Sequence, residues 1–155
     1  MLLFFSNGEQ FASGSTPYDS HPATPTETFE RIMLQVEIEG IMTEAYLDTG
    51  GIYLVCTPAV AKLANLPAKN LFDSVKPQSI NIRGQIIPGD LCRTTLTIPA
   101  ERGYGITIDA TTFVPRINEK VDWEDFPCIL GLYGCLERLR FAIDPSNTYF
   151  YFGNI

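Results

Sequence analysis

Order is expected to begin near Phe29, and beyond it several stretches alternate apolar and polar residues with a period of two, the pattern of half-buried strands. Residues 33–38 set Leu34, Val36 and Ile38 against Gln35 and Glu37, and Glu39-Gly40 turns the chain into a second strand over 41–47. Residues 52–56 are β-branched and aromatic, which predicts another strand. Thr57-Pro58 has helix-start chemistry, so 59–66 reads as a short helix stopped by Pro67, with a second helical piece over 68–72. Residues 79–83 and 86–87 flank Gly84-Gln85, and Pro88-Gly89 follows. This composition predicts a mobile hairpin with a glycine tip and little core. Over 91–98, Cys92, Thr94, Leu96 and Ile98 alternate with Leu91, Arg93, Thr95 and Thr97. A turn at 99–103, a strand at 106–114 and a polar loop at 115–124 come next. Leu132, Leu136 and Leu139 stand at helical spacing and predict a helix over 132–139. A hairpin follows, with Asp144-Pro145-Ser146-Asn147 between strands at 141–143 and 148–152.

Ahead of this pattern, residues 6–28 are rich in Gly, Ser, Thr and Pro, with aromatics only at Phe11 and Tyr18. The stretch has too little apolar surface to offset its ordering entropy, so 1–28 is expected to be a flexible tail before a domain over 29–155. The architecture expected is mostly β, with one or two short helices.

A chain of 155 residues fits one domain and can fold without staples. The net charge of −7 disfavours a nucleic-acid groove or an anionic membrane surface. No apolar run approaches the roughly 20 residues that span a bilayer, and no basic residue precedes the apolar start, so a cytoplasmic location is the default. Cys56, Cys92, Cys128 and Cys135 form no Cys-x-x-Cys pair, and the single His21 falls in the polar stretch. No metal or other cofactor is therefore expected.

The chemistry lies at Ala45-Tyr46-Leu47-Asp48-Thr49-Gly50-Gly51. There an alternating strand runs into an acid, a hydroxyl and two glycines before the chain resumes as Ile52-Tyr53-Leu54-Val55. A carboxylate set between two apolar strands needs a partner, a proton or a task, because leaving it unpaired costs several kcal/mol. A solvated turn is the plain alternative.

Context favours the task. The order strand, Asp-Thr-Gly, strand, short helix, Gly-tipped hairpin, strands, Ile-Leu-Gly, helix and closing hairpin resembles the retropepsin family, the single-domain aspartic proteases of retroviral type. The resemblance covers roughly residues 29–155, and its ending over 139–153 is similar to bacterial members. It rests on Ala45-x-Leu47-Asp48-Thr49-Gly50 and Cys128-Ile129-Leu130-Gly131. It implies a closed, barrel-like acid-protease β fold that needs no cofactor and acts on peptide substrates.

Residue by residue, the resemblance makes Asp48 catalytic, with Thr49 locking two loops together across a dimer and Gly50 shaping the loop. Leu47, Gly51, Ile129, Leu130 and Gly131 would support the site, and Ile82, Arg83, Gly84, Gln85 and Ile86 would form the flap. Aspartic proteolysis needs two carboxylates sharing one proton. The chain carries one Asp-Thr-Gly, so an active form would be a C2 homodimer. Gly51 stands where members usually carry Ala or Ser, and Leu132 where Arg or Asn often follows the Gly. The aromatic run 149–152 is expected either to pair subunits along a strand edge or to be an ordinary core strand. A peptide-binding or dimerisation module of the same fold without useful turnover remains the alternative, as does a structural acid at Asp48.

Overall fold

The computed structural model describes residues 3–66, 78–116, 123 and 126–155. The expected helix at 68–72 and most of the polar loop at 115–124 lie outside the described residues. Within them the period-two runs become strands. These are β1 (Gly14–Pro17), β2 (Asp19–His21), β3 (Arg31–Ile38), β4 (Ile41–Ile52), β5 (Leu54–Val55), β6 (Gln78–Ile82), β7 (Gln85–Ile98), β8 (Arg102–Gly103), β9 (Ile106–Pro115), β10 (Cys128–Tyr133), β11 (Arg140–Asp144) and β12 (Tyr149–Gly153). The helix α1 (Pro58–Leu63) starts where Thr57 accepts a hydrogen bond from the Val60 N–H and Pro58 occupies the first turn.

Eight strands form one sheet in the order β2-β3-β4-β10-β5-β9-β7-β6, and four form a second in the order β11-β12-β1-β8. A short β3–β7 pairing at Glu37↔Thr97 and Ile38↔Leu96 folds the large sheet back on itself without completing a formal barrel. The mostly-β expectation holds. Leu34, Val36, Ile38, Leu54, Leu96, Ile98, Leu130 and Leu136 form the main core, joined by Phe150 and Phe152 from the second sheet. All four cysteines are buried thiols; Cys56, Cys92, Cys128 and Cys135 pack in this core as small apolar residues.

Several expectations change. The stretch 6–28 is not a loose tail. β1 lies between β12 and β8, and β2 extends the large sheet by pairing β3. Its partners supply the apolar surface that its own sequence lacks. Gly14 can pass beneath the Phe152 ring and the Tyr104 carbonyl because it has no Cβ. The helix expected over 132–139 is instead the end of β10, a left-handed Gly134 and a single 3-10 turn at Leu136–Arg138. Leu136 and Leu139 are still buried, so the spacing reported burial rather than helix.

β7 runs straight through Pro88-Gly89 and joins the segments read separately at 86–87 and 91–98, and Gly89 gives room where a Cβ would lie 2.5 Å from the Val114 carbonyl oxygen. The aromatic run in β12 is not an edge, since β11 flanks it on one side and β1 on the other. It cannot extend a sheet between subunits; Phe150 and Phe152 are core residues.

Candidate active site

The site is built by a chain that wraps around one strand. β10 pairs with β4 in parallel, Cys128↔Ala45 through Gly131↔Asp48, and with β5 in the antiparallel sense, Ile129↔Val55 and Leu130↔Leu54. The two flanking strands are joined by the Asp48–Tyr53 stretch. It therefore bends around the end of β10 and leaves the Asp48 side chain half-exposed at the tip. The bend is taken up at Tyr53, in the left-handed region at φ 63°. Two hydrogen bonds pin it, Gly131 N–H to the Tyr53 carbonyl (2.9 Å) and Tyr53 N–H to the Tyr133 carbonyl (3.0 Å). The strand expected at 52–56 is interrupted at that residue.

Asp48 Oδ1 accepts the Gly50 N–H at 3.1 Å, which folds the carboxylate back over the loop. Neither Gly50 nor Gly51 has a positive φ. Backbone angle does not call for glycine here, and a Cβ on Gly51 would lie 3.2 Å from Asp48 Oδ2 and 3.3 Å from its Cγ, close enough that the carboxylate would have to give by a few tenths of an ångström. Thr49 is exposed, and among the described residues its hydroxyl has no partner.

Asp48 opens onto a cavity of about 260 Å³ lined by Arg31, Tyr46, Gly51, Ile52, Val55, Ile80, Asn81, Ile82, Arg83 and Ile129. The β6–β7 hairpin covers one side. Its two-residue turn has Arg83 and Gly84 both at positive φ, the form that suits tight hairpins, and Asn81 Oδ1 accepts the Gly84 N–H at 2.8 Å. The hairpin is not thin in core. Ile80, Ile82 and Ile87 are buried with Met33, Tyr46, Val55, Phe113 and Ile129 in a second apolar cluster beneath the cavity.

Of the residues expected at the site, Asp48, Gly51, Ile82, Arg83 and Ile129 meet at the cavity. Thr49 and Gly50 lie on the exposed face of the loop, outside the lining. Leu130 faces the main core, Leu47 packs against that core, and Gly131 backs the bend through its close approach to Tyr53 and Ile52. Gly84, Gln85 and Ile86 form the hairpin tip away from the cavity, with Ile86 among the most exposed apolar residues.

Arg31, Tyr46 and Glu27 were not legible as site residues. The Arg31 guanidinium lies 5.0 Å from the centre of the Tyr46 ring and is held above its usual range, first by its hydrogen bond to Glu27 and also by the charge of Asp48. Burial pushes the Tyr46 phenol up, and Arg31 and Arg83 oppose it. The one available signal was the spacing of Glu27 and Arg31, four residues apart just before a strand, which reads as an ordinary surface pair.

No protein-family model matches the sequence, and no curated protein sequence matches it. Solved structures do. A retropepsin-like aspartic protease from Rickettsia conorii superposes with a TM-score of 0.52 at 14% identity, covering 90% of this chain and 99% of that one. The retroviral protease-like domain of Ddi1 from Leishmania major gives 0.49 at 16% identity, covering 81% and 90%. EIAV protease complexed with the inhibitor HBY-793 gives 0.43 at 19% identity, covering 70% and 88%. At these identities the likeness concerns the fold, and it is carried by the Rickettsia structure. The chain has the retropepsin-type β fold.

Proposed function

We propose that the protein is an aspartic endopeptidase that works as a homodimer, with Asp48 of each copy facing one shared water. The observation that carries this reading is the position of Asp48. It sits at the tip of a bend between parallel and antiparallel partners of one strand, at the mouth of a cavity covered by the β6–β7 hairpin. In such a pair the two carboxylates cannot both ionise. One activates water while the other protonates the substrate carbonyl oxygen. Ile52, Val55, Ile80, Ile82 and Ile129 give the cavity apolar walls suited to the side chains of an extended peptide. The exposed Thr49 hydroxyl, unpartnered within the described chain, is available to a second copy, and one Asp-Thr-Gly per chain makes that copy necessary. The peptidase unit includes β1 and β2 as well as the residues after Phe29.

The test is cleavage of an unfolded protein between about pH 4 and 7 by wild type and Asp48→Asn, across a dilution series. The reading expects cleavage that vanishes in the variant and falls more steeply than linearly on dilution. If both proteins are inert while the wild type is a folded dimer, a peptide-binding module replaces it.

A further inference from the structure

The hairpin beside Asp48 is fastened from outside its own sheet. Residues 23–27 form a tight turn just before β3, with the Glu27 N–H donating to the Thr24 carbonyl at 3.1 Å and Ala23 buried in the cluster beneath the hairpin. The turn presents the Glu27 carboxylate, whose side chain is only 8% exposed, to donors from three elements. Oε1 accepts from Arg31 Nη2 at 2.6 Å and Nε at 3.2 Å, and Oε2 accepts the Ala23 N–H at 2.9 Å. Arg83, at the hairpin turn, lies 3.1 Å from Oε2 and also donates to Thr24 Oγ1 at 3.3 Å. Its guanidinium covers the Phe126 ring at 4.7 Å. One buried carboxylate thus ties together two arginines that both line the cavity with Asp48.

We propose that Glu27 is a positioning residue that latches the hairpin over the cavity through Arg83, while holding Arg31 against Tyr46. The proposal rests on reading that cavity as the peptide cleft of the proposed function. The physical case is the geometry of the charge. A carboxylate this enclosed holds its place only with most of its acceptor capacity filled, and here both arginines fill it. Releasing Arg83 leaves Glu27 paired with Arg31, so the hairpin has a two-state fastening whose broken form strands no isolated charge. Residues 78–87 can then lift on their own, with the rest of β7 held by β9. Substrate entering the cavity has to pass this fastening, and closing it again holds the bound chain.

The experiment compares wild type with Glu27→Gln and, from the other side, Arg83→Gln, which leaves the Glu27–Arg31 pair intact. Peptide-resolved hydrogen exchange on the full chain reads the hairpin without requiring catalysis. Arg83→Gln should speed exchange in residues 78–87 by roughly tenfold while the peptides of β3 and β9 stay within about twofold of wild type. Glu27→Gln should speed 78–87 at least as much, with a smaller rise in β3, whose Arg31 loses its partner. Arg83→Lys, which keeps the charge, should recover part of the protection. With cleavage measurable, KM should rise in both variants with kcat nearly unchanged. Unchanged exchange in 78–87, or a rise spread equally over all strands, overturns the latch. Inert Asp48→Asn and wild-type proteins would overturn the peptidase reading alone, since the exchange result stands by itself.

Discussion

Gly131→Ala tests the construction of the site most directly. Gly131 is opposite Asp48 in the β4–β10 pairing and lies against the bend at Ile52 and Tyr53. An added Cβ would collide with the Tyr53 carbonyl oxygen and lie 2.7 Å from the Ile52 carbonyl carbon and 3.0 Å from its oxygen. Ordinary contact begins near 3.4 Å, so the backbone has to retreat by about 0.7 Å from the Ile52 carbon and by more from the Tyr53 oxygen, and both nearest groups are main chain with no rotamer to escape into. Overpacking of this kind costs about 1–3 kcal/mol. The retreat also strains the Gly131–Tyr53 hydrogen bond of 2.9 Å, worth about 1 kcal/mol. Against this, replacing glycine lowers unfolded-state entropy by an equivalent of about 0.4–1 kcal/mol. The net expectation is a loss of about 2 kcal/mol, or roughly 4–8 °C in Tm for a chain of this size. Urea and thermal unfolding would measure it. Gly40→Ala is the control: it imposes a left-handed residue at φ +79° with open space around it, and should cost about 1 kcal/mol. A loss for Gly131→Ala no larger than that of the control would refute the close-packed bend behind Asp48.

Three further outcomes are expected. Thr94 and Thr112 are buried with their hydroxyls 2.6 Å apart, and Thr112 also donates toward the Ala110 carbonyl at 3.4 Å. Thr112→Val should therefore destabilise by about 1–3 kcal/mol, Thr94→Val by less, and the double variant by less than Thr112→Val alone, as a double-mutant cycle in urea would show. Deleting residues 1–28 removes β1 from between β12 and β8, and should cost at least about 4 kcal/mol by exposing the Phe150–Phe152 surface; a fragment as stable as the full chain would refute that role. The Glu27 carboxyl is held below its usual 4.5, first by the Arg31 hydrogen bond. A depressed folded value means stability that is present above 4.5 and lost as pH falls through the folded value. The stability gap between wild type and Glu27→Gln should thus be constant from about pH 6 to 5 and narrow below 4.5; a gap that widens in acid would refute the assignment.

Local chemistry carried a good deal of this protein. Period-two alternation placed β3 and the 91–98 half of β7, because a strand with one buried face must repeat every second residue. Thr57-Pro58 started the helix for reasons confined to one turn of backbone, and Gly84 marked the hairpin. Asp48 stood out because an acid between apolar strands, if buried, needs a partner, a proton or a task. What the sequence could not supply was what each element packs against. β1 and β2 have no hydrophobic period of their own; Phe150 and Phe152 across the sheet provide it, so 6–28 read as a tail. Leu132, Leu136 and Leu139 had helical spacing but faced a core that a strand end and a single 3-10 turn could also fill. Glu27, Arg31 and Arg83 are common surface charges in one dimension. Only the fold brings residues 27 and 83 within 3.1 Å and closes a cavity with Asp48 beneath them, because charge pairing across a separation of 56 positions is set by sheet topology and not by local spacing.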